Sequence, residues 1–430
     1  MRVGFYECDI TPPLGGNMPG YYREHPAKNV FERLYAKACV MEEDGKYAAI
    51  VALDTCEYVD EMTKIVTDRV FEYTGIPAES ICIHIVHTHK GAPVEDCPWV
   101  GQRPDFEYRS VFYRLAADAI ILAYLRLTPA EAKFAQGTLE GVAYNRNYVR
   151  RDGKCQTFHP GEASYAGTMA GIDPALPVLV FESEGKKLGA LISYACHQDC
   201  TDGEVNGYSS DYSGVMGKEL KRVYGEDFVS VFMIGTAGDI NHCPNDASVK
   251  LPPFWYREIG KMAAKAAEQA IEAASPVGGK GIDVVKEELK VPRRNGRDAK
   301  ESERLKTFLE KGSLMRARNL FYYRATNRVD HSMMPLQVIR VGDVGIYVMP
   351  GEIYVNFGLE IKRRSKFAHN FVVENSNLFG GYIPTPEAFA ENADLYETSL
   401  CPGSRHIPEA GGMMVEKLLE MAGGMCDSDT

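Results

Sequence analysis

Three pairs of apolar runs, each joined by a short polar turn, constrain this chain more than any other feature of its sequence. Residues 34–41 and 47–53 flank Glu42-Glu43-Asp44-Gly45-Lys46. Residues 176–182 and 188–195 flank Gly185-Lys186-Lys187, and residues 334–341 and 344–349 flank Gly342-Asp343. Runs of this kind around glycine-containing turns predict antiparallel hairpins. Helical spacing separates them, at residues 59–73, 105–127, 212–224, 258–274 and 354–367. In the first of these, Met62, Ile65, Val66, Val70 and Phe71 are expected on one buried face. Further strands are expected at 2–8, 132–137, 229–234, 278–292 and, as the last one, 371–375. The interspersed pattern predicts an α/β fold, a mixed β-sheet core with flanking helices, in one large single domain over residues 1–430. Residues 298–328 are charged and amphipathic and predict a helical excursion. No internal repeat is visible in the sequence.

The most informative motif is His84-Ile85-Val86-His87-Thr88-His89-Lys90-Gly91-Ala92-Pro93, which holds three of the ten histidines. An apolar run that ends in glycine and proline reads as a strand entering a loop. Alternate residues of a strand share a face, so His87 and His89 are expected to point the same way at the strand's carboxyl end. Open α/β sheets build their sites there. Two imidazoles on one face suit a metal ion, or one ligand and one hydrogen-bond donor; a pair of satisfied loop histidines is the plainer alternative.

Other segments share the signature of a strand followed at once by polar or ligating residues. They include Ala195-Cys196-His197-Gln198-Asp199, Gly235-Thr236-Ala237-Gly238-Asp239-Ile240-Asn241-His242 and Pro350-Gly351-Glu352. Gly380-Gly381-Tyr382-Ile383-Pro384-Thr385 is a fourth. The glycine spacing matches no nucleotide-binding fingerprint. Ser209-Ser210-Asp211 precedes a helical pattern, so Asp211 reads first as a helix-start residue. Arg146, in Tyr144-Asn145-Arg146-Asn147, can clamp a carboxylate or an oxyanion through its planar fork, or can be a surface turn residue. No Gly-x-Ser-x-Gly elbow is present, and Cys196 beside His197 would point away from it on a strand.

Composition narrows the classes. A net charge of −11 and 25% charged residues give no basic stripe for phosphates, so no nucleic acid is expected as partner. The densest basic cluster, residues 293–300, reads as a solvated loop beside acids. No run approaches the roughly 20 apolar residues of a membrane helix, and no signal-peptide core precedes the first strand, so no membrane insertion is expected. Eleven scattered cysteines without a Cys-x-x-Cys pair predict reduced thiols in a cytoplasmic enzyme.

Taken in order, these segments resemble the catalytic domain of the neutral/alkaline non-lysosomal ceramidase family over roughly residues 1–400. The matching stretches are Asp9-Ile10-Thr11-Pro12-Pro13, Met18-Pro19-Gly20-Tyr21, His87-Thr88-His89 through Pro93, Tyr144-Asn145-Arg146 and Ala195-Cys196-His197. They continue with Ser210-Asp211-Tyr212-Ser213-Gly214, Gly238-Asp239-Ile240-Asn241, Pro350-Gly351-Glu352 and Tyr382-Ile383-Pro384-Thr385. The resemblance implies an amidase site with one Zn2+ per chain, held by His87, His197, Glu352 and Tyr382. His89 and Arg146 would contact the substrate carbonyl or carboxylate, with Tyr382 helping to stabilise an oxyanion. Asn241 stands where the family carries a serine; it can donate to an oxyanion but cannot be a nucleophile. His242 is additional and, with Asp211, is assigned to substrate binding. The family's C-terminal β-sandwich is not expected within the chain, nor is an apolar membrane-facing surface. The expected substrate is therefore a small polar amide, or an ester, cleaved by metal-activated water. A metal-dependent lyase or isomerase acting on a sugar or hydroxy acid stays open as an alternative, as does a ligand-binding protein with a decayed site.

Overall fold

A computed structural model of the chain describes residues 1–20, 24–96, 103–200, 205–279 and 281–427. Three four-stranded arrangements recur along it. The first comprises β1 (Arg2–Asp9), β2 (Tyr35–Glu43), β3 (Lys46–Leu53) and β4 (Ile81–Ile85). β1 and β2, and β2 and β3, pair antiparallel; helix α1 (Asp60–Thr74) then carries the chain to β4, which lies parallel to β3. The second comprises β5 (Glu131–Thr138), β6 (Ala175–Ser183), β7 (Lys186–Tyr194) and β8 (Val229–Ile234). Its pairings repeat the first, with α3 (Asp211–Tyr224) making the crossover. The third comprises β9 (Ile282–Pro292), β10 (His331–Val341), β11 (Val344–Val348) and β12 (His369–Val373), with α7 (Val355–Arg364) as crossover. A helix follows each fourth strand: α2 (Phe106–Tyr124), α4 (Trp255–Ala273) and α8 (Ala410–Asp427). The mixed sheets expected from the hairpins are therefore present in a threefold recurrence that no sequence repeat announces.

Strand alternation decides where the core sits. In β3, Ala48, Ile50 and Ala52 join one core cluster while Ala49, Val51 and Leu53 join another under α1 and α2. In β11, Val344, Ile346 and Val348 enter the first cluster and Tyr347 faces α7 and α8. The inward faces of all three sheets thus share one core, and their outer faces are covered by helices. Strands buried on both faces read as unbroken apolar runs, which is why periodicity found them easily.

Some expectations fail. Ile65 and Phe71 of α1 are exposed, and Met62, Val66 and Val70, with Thr67 beside them, carry its buried stripe. The strand expected to be last is followed by the two-residue strands Tyr382–Ile383 and Ala393–Asp394 and by α8. The helical excursion expected at 298–328 is present, as the pair α5 (Ala299–Glu310) and α6 (Leu314–Thr326). Arg294 is not solvated: its guanidinium is buried and donates to the carbonyls of Thr398 and Ser404 at 2.8 and 2.7 Å. Among the described residues no helix is long and apolar enough to cross a membrane, and the ten described cysteines are free. Tyr21 lies outside the described residues.

Candidate metal centre

The loops after β4, β7 and β11 meet at one point. His87 stands two residues beyond β4, with φ of 69°, in the left-handed region that a non-glycine residue seldom occupies. His87 and His89 therefore converge through a loop turn and not through strand alternation, and their rings meet edge-on with centroids 5.0 Å apart. His197 follows β7, its ring 4.7 Å from that of His87. Glu352 follows β11. Its backbone pairs in parallel with Tyr382 in a two-stranded ladder, so backbone register sets carboxylate and phenol side by side.

Hydrogen bonds fix which imidazole nitrogens face inward. His87 Nδ1 lies 2.6 Å from the Cys56 carbonyl, and His197 Nδ1 lies 2.8 Å from the Ala237 carbonyl. A carbonyl only accepts, so each Nδ1 carries a proton and each Nε2 is left with a lone pair. Both Nε2 atoms point at the same oxygen, Glu352 Oε2, from 3.4 Å (His87) and 3.2 Å (His197). Lone pairs facing an ionised oxygen in a buried space repel unless a cation lies between them. The edge of a tetrahedron with zinc–nitrogen bonds of 2.0–2.1 Å is about 3.3 Å, so these spacings fit a zinc ion. The ligating atoms of His87, His197 and Glu352 all lie within 4.8 Å of one another. Burial opposes ionisation of Glu352, and positive charge between it and the two rings, whether ring protons or a metal ion, holds its carboxyl well below the usual range. Cys56 is nearby, but burial keeps its thiol protonated and therefore a poor ligand.

Arg146 is buried with its fork largely committed. Nε donates to Glu397 Oε1 at 2.8 Å, and Nη2 donates to the Gly238 carbonyl at 2.9 Å and to the Tyr382 hydroxyl at 3.2 Å. Nη1 faces His197 Nε2 at 3.5 Å. Glu397 is fully buried and also accepts from Thr157 Oγ1 at 2.8 Å. Sequence reasoning missed it, since a lone Glu after Tyr396 carries no pattern. His89 Nε2 lies 3.4 Å from His87 Nε2, and burial together with the His87 imidazole pushes its pKa down to about 3, so its ring is neutral.

The remaining expected residues divide. His242 Nδ1 lies 3.1 Å from Asp199 Oδ1, beside the cluster's own His197 loop, and Asp199, Cys200 and His242 form a second group of ligand-type atoms within 4.8 Å. Asn241 pairs through its backbone with Tyr144, and its Oδ1 accepts the Cys243 N–H at 3.0 Å, which leaves the amide NH2 as its donor end. Asp211 is buried at the start of α3 with φ of 52°; its N–H donates to Ser209 Oγ and its Oδ1 accepts the Tyr212 N–H at 2.7 Å. Those bonds are the work of a helix start, the plainer of its two readings.

Known proteins share parts of this sequence and its fold. The family model for neutral/alkaline non-lysosomal ceramidase, N-terminal, matches residues 1–250. Among solved structures, the neutral ceramidase from Pseudomonas aeruginosa superposes with a TM-score of 0.78 at 19% identity, over 99% of this chain and 74% of that one. A ceramidase complexed with C2 gives 0.77 at 18% identity, over 99% and 75%. No curated protein matched.

Proposed function

Because the chain belongs to the neutral/alkaline non-lysosomal ceramidase family, we propose that it is a zinc-dependent hydrolase that cleaves an amide, or less readily an ester, of a small substrate. The observation that carries this is the convergence of two imidazole lone pairs on one Glu352 oxygen with both Nδ1 protons already committed to carbonyls. His87, His197 and Glu352 would hold one zinc ion, with the Tyr382 phenol as a weaker fourth ligand. Bound there, zinc supplies a Lewis acid and acidifies a water molecule to a pKa of about 7.

The other roles belong to the chain's own side chains. Arg146 Nη1 and the Tyr382 hydroxyl donate to the oxygen that becomes negative as the substrate carbonyl turns tetrahedral. Neutral His89 lends a ring N–H to the same oxygen, and the proton lost by the attacking water goes to the leaving amine. Asn241 contributes its NH2 as a further donor and not a nucleophile. His242, held by Asp199, contacts the substrate's polar end, and Asp211 keeps the helix start beside it in place. We assign all these roles to one catalytic domain over residues 1–430, and a cytoplasmic location to a chain whose described cysteines are free.

Elemental analysis of wild type and His87→Ala tests the proposal. About one zinc per chain in wild type, lost in the variant, supports it. Turnover in heavy-oxygen water must then place solvent oxygen in the product. A product without it points to the lyase or isomerase alternative.

A further inference from the structure

Two buried N–H groups beside the candidate ligands lie outside any ladder bond. The pairing of Glu352–Ile353 with Tyr382–Ile383 uses the N–H groups of Glu352 and Tyr354, which donate to the Gly381 and Ile383 carbonyls at 2.9 and 3.3 Å. The Ile353 N–H therefore points away from that ladder. Ala237 lies in the loop after β8, outside any strand. Both residues are fully buried, and a buried backbone donor without an acceptor costs as much as a lost hydrogen bond.

Glu374 supplies the acceptor for both. It is the first residue past β12 and is fully buried, and its Oε2 accepts the Ile353 N–H at 2.6 Å and the Ala237 N–H at 3.1 Å. These two donors matter for what stands next to them. Ile353 follows Glu352 directly, and Ala237 provides the carbonyl that holds His197 Nδ1. The circuit closes through the backbone. The Ile353 carbonyl accepts the Gly238 N–H at 2.9 Å, and that N–H belongs to the same peptide unit as the Ala237 carbonyl. Gly238 shows how close the approach is: an added Cβ would lie 2.6 Å from the Glu352 carbonyl oxygen.

Charge does not explain Glu374. Among the described residues its hydrogen bonds come from amide N–H groups, the third being Asn375 Nδ2 to Oε1 at 3.4 Å. Burial and the neighbouring Glu352 charge push its carboxyl well above the usual range. A buried acid without a counter-charge is costly and calls for another reason. We infer that Glu374 is a positioning residue for the candidate metal centre: by holding Ala237 and Ile353 on one oxygen, it sets the His197 and Glu352 ligands at their spacing before an ion arrives. Glu374 acts through the two loops and touches neither ion nor substrate. The inference rests on the metal-site reading above. Groups one step behind the ligands tune metal affinity by orienting them.

Zinc affinity of the full chain, measured by competition with a chromophoric chelator, tests this. Glu374→Ala should weaken zinc binding about tenfold to a hundredfold. Glu374→Asp, a methylene too short to reach both N–H groups, should weaken it too, and it answers the question if the Ala variant does not fold. Glu374→Gln should bind zinc close to wild type, because an amide oxygen still accepts both N–H groups. In the cobalt-loaded proteins, wild type and Glu374→Gln should share their visible ligand-field bands, and Glu374→Asp should shift them. Ser376→Ala is the control for damage to the same buried segment, since its Oγ bonds His84 and the Glu374 carbonyl and reaches neither loop. It should lower the melting temperature with zinc affinity unchanged. Wild-type affinity in Glu374→Ala or Glu374→Asp overturns the inference and leaves the metal site standing. So does a Gln variant as weak as Ala, or an equal loss in Ser376→Ala. A wild type that binds no zinc overturns the metal site and this inference together.

Discussion

The candidate metal centre draws one side from the first two units and the other from the third, and the two sides are held differently. His87 and His197 are oriented by hydrogen bonds from other segments: the Cys56 carbonyl for one, the Ala237 and Ile240 carbonyls for the other. Each imidazole is pinned separately. Glu352 and Tyr382 are instead positioned by backbone pairing with each other. The corner that allows this pairing is Gly351, at φ of 96°, where an added Cβ would lie 2.3 Å from the Gly381 carbonyl oxygen. Side chains that need only a direction are set by hydrogen bonds, and side chains that must move together are set by the ladder. Disturbing the histidine side should remove one ligand at a time, and disturbing the third unit's corner should displace two.

Ligand removal gives the largest effect. Glu352→Gln and His197→Ala should each reduce zinc from about one per chain to under about a tenth, read by elemental analysis. Full retention in either would break the assignment. Arg146→Ala comes next: kcat should fall about a hundredfold to a thousandfold with zinc retained. Loss of zinc would make Arg146 part of the scaffold and not of the substrate site.

Gly351→Ala sharpens the contrast between the two sides. It should cost roughly 1–3 kcal/mol or more in stability and lower zinc affinity, because it shifts carboxylate and phenol together. Gly141→Ala, at φ of 77° but in open space, provides the control with strain alone. Equal effects on zinc would mean that the corner does not position the ligands. Glu397→Gln should lower kcat by about tenfold with KM and zinc little changed, since Gln still accepts from Arg146 but no longer offsets its charge. Asn241→Ser is expected to change turnover by about twofold or less, as for a site without nucleophilic demand. A large gain would show that the family serine does more than donate a hydrogen bond.

The two sides also differ in how they read from the chain. The clustered histidines after an apolar run identified the first side from residue types alone, although the loop turn at His87 was hidden because left-handed backbone leaves no mark in a His-Thr-His triplet. Glu352 and Tyr382 drew notice only as weak signals after strands and gained their meaning from the family resemblance. Glu397 was invisible, because its role comes from Arg146, 251 residues away in the chain. The three hairpins were legible through apolar runs and turn residues, whereas their threefold recurrence was not, since alternation and pairing depend on hydrophobicity and not on identity. α8 escaped because two Gly-Gly pairs, Gly411-Gly412 and Gly423-Gly424, and four scattered methionines blur its periodicity.

The distance along the chain between converging residues has a further consequence. His197 and Glu352 are 155 residues apart, and Arg146 and Tyr382 are 236 apart. An ion seated among them acts as a cross-link between all three sheets, closing loops far longer than any hairpin. The entropy of closing such loops must be met by the folding of the sheets first. A nascent or truncated chain that ends before the third sheet carries the histidine triplet but no site to load. With the proposed ligand set, metal uptake would be the last event of assembly, and occupancy would report that every sheet has been made and docked.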